Sequence, residues 1–198
     1  DRPAEDVKKV IDEYFGGDGL LYANKYYEEL SKLPTYDNFD IIGHFDLITK
    51  HCDTHNFFDM NSKEYLSYAF DCAKKLSGKI PFFEVNTGAI ARGYRKTPYP
   101  SVPIIKEMKR LGFGAVISSD CHDAKDLTCY FKEAEELLKS CGYKEHYVLT
   151  KNGYTVKGVS DGKEALEALD NDYYDVIISD VMMPVMDGFE FVRQLRDT

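Results

Sequence analysis

The chain has 198 residues and a formal net charge of -9; it is long enough to bury a core as one large domain or two small ones, and its acidity argues against nucleic acid or an anionic membrane surface as partner, since both are held by clustered Lys and Arg. No run approaches the roughly 20 apolar residues that span a bilayer, and the opening DRPAEDVKK has no signal-peptide shape, so a cytoplasmic location and no membrane partner are expected. Five cysteines, Cys52, Cys72, Cys121, Cys129 and Cys141, form no CxxC pair and suggest neither a disulfide framework nor a zinc knuckle.

Acids and a proline open the chain, and VKKVIDEYF supplies an apolar face that ends at Gly16-Gly17, so the first element is a helix. A second helix is expected from Leu20 to Leu33. FDIIGHFD then carries a short β-branched run that stops at Gly43-His44, the pattern of a buried parallel strand. The alternation repeats: a helix from Lys63 to Leu76, a strand from Ile80 to Asn86, a helix from Val102 to Leu111, a strand from Gly114 to Asp120, and a long amphipathic helix from Ala124 to Ser140. HYVLT and YTVKGV are strand candidates around Lys151-Asn152-Gly153, either as parallel strands or as a hairpin across the Asn-Gly turn. Asp161 to Leu169 reads as a helix, YDVIISD as a strand and Gly188 to Arg196 as a last helix.

Strands alternating with helices predict an α/β fold of βα units with one parallel sheet of about five or six strands, as a partial barrel or an open layer. In such folds ligands gather beyond the carboxyl ends of the strands. Those ends carry Gly43-His44-Phe45-Asp46, Glu84-Val85-Asn86-Thr87-Gly88 and Ser118-Ser119-Asp120-Cys121-His122-Asp123. Asp120 and His122, two residues apart, put a carboxylate and an imidazole on one side of the backbone. With His44 they form a candidate ligand set for zinc, iron or manganese; the alternative is that they cap loops. His51 and His55, in KHCDTH, are spaced to chelate if helical, and Cys121 reads as a small residue between ligands.

The phrases EYFGGD, DIIGHFDLITK, FEVNTGAIARGYRKTPYPS and GAVISSDCHDAKDL stand in order over residues 1–152, and this part resembles the later portion of a histidinol phosphatase of the PHP family. The resemblance implies a distorted barrel of parallel strands around a metal cluster. It also implies metal ligation by His44, Asp120 and His122, contact of Arg92 and Asn86 with a substrate phosphate, and hydrolysis by a metal-activated water. The substrate class would be a small phosphomonoester such as histidinol phosphate, within histidine biosynthesis. The family also uses an N-terminal His-x-His strand and further His and Glu ligands, and none of the five histidines here lies in a His-x-His.

From residue 153 onward, SDGKEAL, YDVIISD and MMPVMDG stand in order, and this part resembles two strand-helix units of a response regulator receiver domain, a flavodoxin-like βαβα piece. The resemblance implies that Asp180 accepts a phosphoryl group from a histidine kinase and that the Met182 carbonyl helps hold magnesium. A receiver also uses an acidic pair about 44 residues earlier, where Glu135 and Glu136 fall in a helical stretch, and a Thr or Ser and a Lys on later strands, whereas eighteen residues follow Asp180. The expectation is therefore a hybrid, residues 1–152 joined to 153–198 in one sheet, with self-association through an open edge. Its expected function is impaired metal-dependent phosphomonoester hydrolysis. The alternatives are an inactive chimeric scaffold and a signalling module phosphorylated at Asp180.

Overall fold

The computed structural model describes residues 3–36, 39–148, 159, 161–171, 177, 179, 181, 183 and 185–196. They divide into two compact units, one of residues 1–34 and 38–148, the other of 35–37 and 149–198.

In the first unit, α1 (Ala4–Phe15) follows Pro3 and carries Glu5 and Asp6 in its first turn, where acids complement the exposed N–H groups. It ends at Gly16, whose φ of 61° is the left-handed stop that glycine adopts without a Cβ clash. Asp18 caps α2 (Gly19–Leu30) by accepting from the Leu20 and Leu21 amides. The sheet is parallel and ordered β1 (Ile41–Ile42), β2 (Phe82–Asn86), β3 (Gly114–Ser118), with Ile42 opposite Phe83 and Asn86 opposite Ser118. Between β1 and β2 run the single turn α3 (Cys52–His55) and α4 (Lys63–Leu76); between β2 and β3 run the single turn α5 (Gly88–Ala91) and α6 (Val102–Arg110). Right-handed crossovers, the rule for parallel strands, would put α4 and α6 on one face of this sheet, and the two helices do pack together.

Ser62 caps α4 through the Tyr65 amide, and the helix buries Tyr65, Ala69, Cys72, Ala73 and Leu76. Tyr65 meets Tyr27 of α2 through a hydroxyl–hydroxyl hydrogen bond of 2.7 Å, which satisfies two polar atoms inside the core. Phe45, Phe83, Ile104, Ile105 and Met108 are fully buried in the core.

The α/β class with parallel strands stands as expected, while the described sheet is an open layer of three strands. At the start of HYVLT, Tyr147 forms a parallel bridge with Val116, its amide donating to the Ala115 carbonyl at 2.7 Å. Residues 149–158, and all of YDVIISD except Ile177 and Ser179, lie outside the described residues.

The long helix expected from Ala124 to Ser140 is instead a short 3₁₀ turn, Ala124–Asp126, and a separate α7 (Phe131–Ser140). Carbonyls of the intervening chain are taken by side chains from the strand ends: Ser119 Oγ donates to the Leu127 carbonyl at 2.8 Å and Thr87 Oγ1 to that of Cys129 at 2.7 Å. Tyr130 then takes a φ of 57° at the entry to α7.

Candidate functional site

At the carboxyl edge of the first unit's sheet, two residues other than glycine turn sharply: His44 after β1, with φ of 23°, and Asp120 after β3, with φ of 45°. Such backbone is held only where surrounding contacts over-determine it. At His44 the contact is its amide, which donates to Glu84 Oε2 at 2.7 Å. At Asp120 it is Arg92, whose Nη1 donates to the Asp120 carbonyl at 2.7 Å and whose Nη2 meets Oδ2 at 2.9 Å. Arg92 Nη1 also lies 3.1 Å from His122 Nδ1, which is 3.0 Å from the Asp120 carbonyl.

Asp120, His122 and Arg92 are thus brought together, with the guanidinium between the carboxylate and the imidazole. Asn86 is placed differently from the expected phosphate contact. It is fully buried, its amide donates to Glu84 Oε2 at 3.1 Å, and its Oδ1 accepts from the Gly88 amide at 3.0 Å. Among the described residues, no group of three or more His, Cys, Asp or Glu side chains is arranged to hold a metal ion.

Glu84, which joins the turns after β1 and β2, was visible in the strand-end phrase but has no role in the expected ligand set. Lys50 also belongs to this rim. Its Nζ sits 4.1 Å from the centre of the Tyr94 ring, and burial is the main cause that lowers its pKa, with Arg92 adding to the shift. His51 and His55 have ring centres 6.1 Å apart, and His55 stacks on Phe57. Below the rim, Asp46 and Arg95 are buried together: Arg95 Nη1 lies 3.7 Å from Asp46 Oδ2, which accepts from the Ser101 amide. Burial raises the Asp46 pKa and the opposing pull of Arg95 is smaller.

In the second unit, Asp161 caps α8 (Gly162–Leu169) by accepting from the Lys163 and Glu164 amides at 2.8 and 3.0 Å. The chain enters α9 (Gly188–Arg196) through a closed turn in which the Gly188 amide donates to the Val181 carbonyl at 2.9 Å, and Asp187 Oδ1 accepts from the Glu190 amide at 2.8 Å. Asp180 and Met182 lie outside the described residues. Glu135 and Glu136 sit on α7, where Glu135 reaches Lys139 one turn on, and so are not strand-end acids.

Residues 145–198 match the response regulator receiver domain family. This stretch is a receiver segment. It is 54% identical over 50 residues to the response regulator MprA of Mycobacterium ulcerans, covering 25% of this chain and 22% of that protein. The corresponding protein of Mycobacterium leprae is 52% identical over 50 residues, with the same coverage. The transcriptional regulatory protein TcrA of Mycobacterium tuberculosis is 48% identical over 48 residues, 24% of this chain and 19% of that protein. The chain spans about a fifth of the length of these curated relatives.

These likenesses overturn the expectation of a metal-dependent phosphomonoesterase acting on a small substrate such as histidinol phosphate in histidine biosynthesis. They lie in the receiver segment, and the relatives are named as regulators. At the rim itself, the Asp120 carboxylate is already paired with the Arg92 guanidinium. The exclusion of nucleic acid falls as well. It rested on net charge, whereas the relatives include a transcriptional regulatory protein of which this chain matches only 19%. Among the described residues, no helix is long and apolar enough to cross a membrane.

Proposed function

We propose that the receiver segment works as the phosphoryl-accepting part of a signalling protein, with Asp180 the acceptor and a histidine kinase the donor. The observation that carries this reading is the family match over residues 145–198, which contains the whole IISDVMMPVMDG phrase. In the transfer, a carboxylate oxygen of Asp180 attacks phosphorus, the P–N bond to the kinase imidazole breaks, and the imidazole leaves with the bonding pair and takes up a proton. The product is an acyl phosphate. Magnesium near Asp180 and the Met182 carbonyl would offset charge as carboxylate and phosphoryl group meet. Regulation of transcription through DNA is the downstream role that the name of the TcrA relative supports.

Incubation of the full chain with acetyl phosphate and magnesium, followed by intact-mass measurement, tests the proposal. One added phosphoryl group that disappears in Asp180→Asn supports it; no mass gain in the original chain, or the same gain in both proteins, overturns it.

For residues 1–152, a PHP-type barrel origin is a separate proposal about ancestry and carries no activity. Its support is the placing of His44, Asp120 and His122 after parallel strands in the family's order. A zinc, manganese or iron ion on these three residues is likewise a proposal, and elemental analysis of the purified protein that finds none of these metals would end it.

A further inference from the structure

The first residue of α8, Gly162, meets the turn that follows Asp180. Its amide is one of the first-turn donors with no partner inside the helix. The next two amides, of Lys163 and Glu164, are taken by the Asp161 cap, whereas the Gly162 amide points outward and donates to the Met186 carbonyl at 3.2 Å. Met186 stands six positions after Asp180, and the same turn is closed at its other end by the Gly188 amide on the Val181 carbonyl. The approach is too close for any side chain. A Cβ on Gly162 would stand 2.8 Å from Phe191 Cβ, 2.9 Å from Met186 Cγ and 3.0 Å from the Met186 carbonyl oxygen.

Phe191 is 1% exposed on α9, so it cannot swing away. Room for a methyl group at Gly162 has to come from displacement of α9 or of the turn. Met186 precedes α9 and lies outside its hydrogen-bond ladder, whereas displacement of α9 would carry the buried Phe191 with it, so the turn is the part expected to give.

From this geometry we propose that Gly162 is a positioning residue: bare of a side chain, it lets the start of α8 clamp the turn after Asp180, and so sets where the acceptor's flanking backbone stands during phosphoryl transfer. This rests on the reading of Asp180 as acceptor, but the clamp has a readout of its own. Alanine is the better helix former at an ordinary helical position. A purely helical role for Gly162 therefore predicts that Gly162→Ala leaves the turn as it was or tightens it, while a clamp predicts that the turn loosens as α8 persists.

The experiment compares the full chain with Gly162→Ala by residue-resolved amide hydrogen exchange and by the rate of mass gain with acetyl phosphate and magnesium. In the unaltered chain the Gly162 amide is expected to exchange at least about tenfold more slowly than an unstructured glycine. In Gly162→Ala the Gly188 amide exchanges faster while α8 amides beyond the first turn keep their protection, and Asp180 is labelled at least about tenfold more slowly, as expected for reacting groups moved by a fraction of an ångström. Unchanged turn exchange in Gly162→Ala, or an unprotected Gly162 amide in the original chain, overturns the clamp. Loosened exchange with an unchanged labelling rate overturns the positioning role. If the original chain takes up no phosphoryl group, the acceptor reading and the positioning role fall together, and the exchange data still decide whether the clamp exists. Should Gly162→Ala fail to fold, Gly162 amide protection in the original chain decides the clamp, and Met186→Ala, which leaves Gly162 in place, supplies the comparison for labelling.

Discussion

Arg92 and Asp120 hold each other by two hydrogen bonds, 2.7 Å from Nη1 to the Asp120 carbonyl and 2.9 Å from Nη2 to Oδ2. The pair crosses from the chain after β2 to the chain after β3, and it fixes a residue whose φ is 45°. Both side chains are about a quarter exposed, at 24% and 27%, so solvent screens the charge interaction and much of its value is geometric.

Arg92→Ala is therefore expected to lower stability by about 1 kcal/mol, read as a lower urea midpoint at unchanged slope. The same change removes a cation from between Asp120 and His122. Affinity for manganese or zinc, measured by titration calorimetry, should rise relative to the original chain; an equal or lower affinity would show that the guanidinium is not what opposes an ion there.

The Asp46–Arg95 pair gives a pH prediction. Burial holds the Asp46 carboxyl above its usual 3.8 despite Arg95. An acid whose folded value is raised binds its proton more tightly in the folded chain, so its contribution is full below about pH 3.8 and is lost as pH rises through the folded value. Urea unfolding of the original chain and of Asp46→Asn across this range should show the balance moving in favour of Asn as pH rises. Arg95→Met strands the buried carboxyl and is expected to cost about 3 kcal/mol at neutral pH. A balance that moves toward Asp with rising pH would contradict the direction of the shift.

Tyr27 and Tyr65 share a hydrogen bond inside the core. Tyr27→Phe and Tyr65→Phe should each cost about 1 kcal/mol, because each leaves one buried hydroxyl unmatched. The double variant should cost little more than either single one, a coupling that a thermodynamic cycle measures directly. Additive losses would mean that the hydroxyls are satisfied independently.

Cysteine reactivity should follow burial. Burial pushes the Cys52 and Cys72 thiols up to about 12, which leaves almost no thiolate at neutral pH. Cys121 and Cys129 are partly exposed. Mass-resolved labelling with iodoacetamide should modify Cys121 and Cys129 in the folded protein and reach Cys52 and Cys72 only on unfolding. Early labelling of Cys52 or Cys72 would show that their packing opens in the native state.

Short-range patterns carried much of the architecture. Ser62 ahead of an apolar helical face marks α4, and short β-branched or aromatic runs ending in glycine or polar residues mark β1 to β3, because capping and side-chain periodicity are decided within a few residues. The receiver segment was equally legible, since SDGKEAL and VMMPVMDG are contiguous phrases. Its function was not. The acidic pair that a receiver uses does not stand at a strand end about 44 residues before Asp180, so the phrase alone points away from signalling, and it is the likeness to response regulators that supports a signalling module over a phosphatase.

What the sequence determined by itself is local: an α/β chain with parallel strands, its helix starts and stops apart from the start of α7, and a receiver phrase around Asp180. The tertiary structure decided which of the strand-end groups meet. Nothing near Asn86 in the sequence says that its amide is spent within the sheet edge. The periodicity of residues 124–140 continues even though Ser119 and Thr87, brought in from β3 and β2, take the carbonyls that a continuous helix would need. Arg92 and Asp120 are 28 positions apart, and Gly162 and Met186 are 24. Pairings over such distances depend on the folded register of separate elements, which no local pattern encodes.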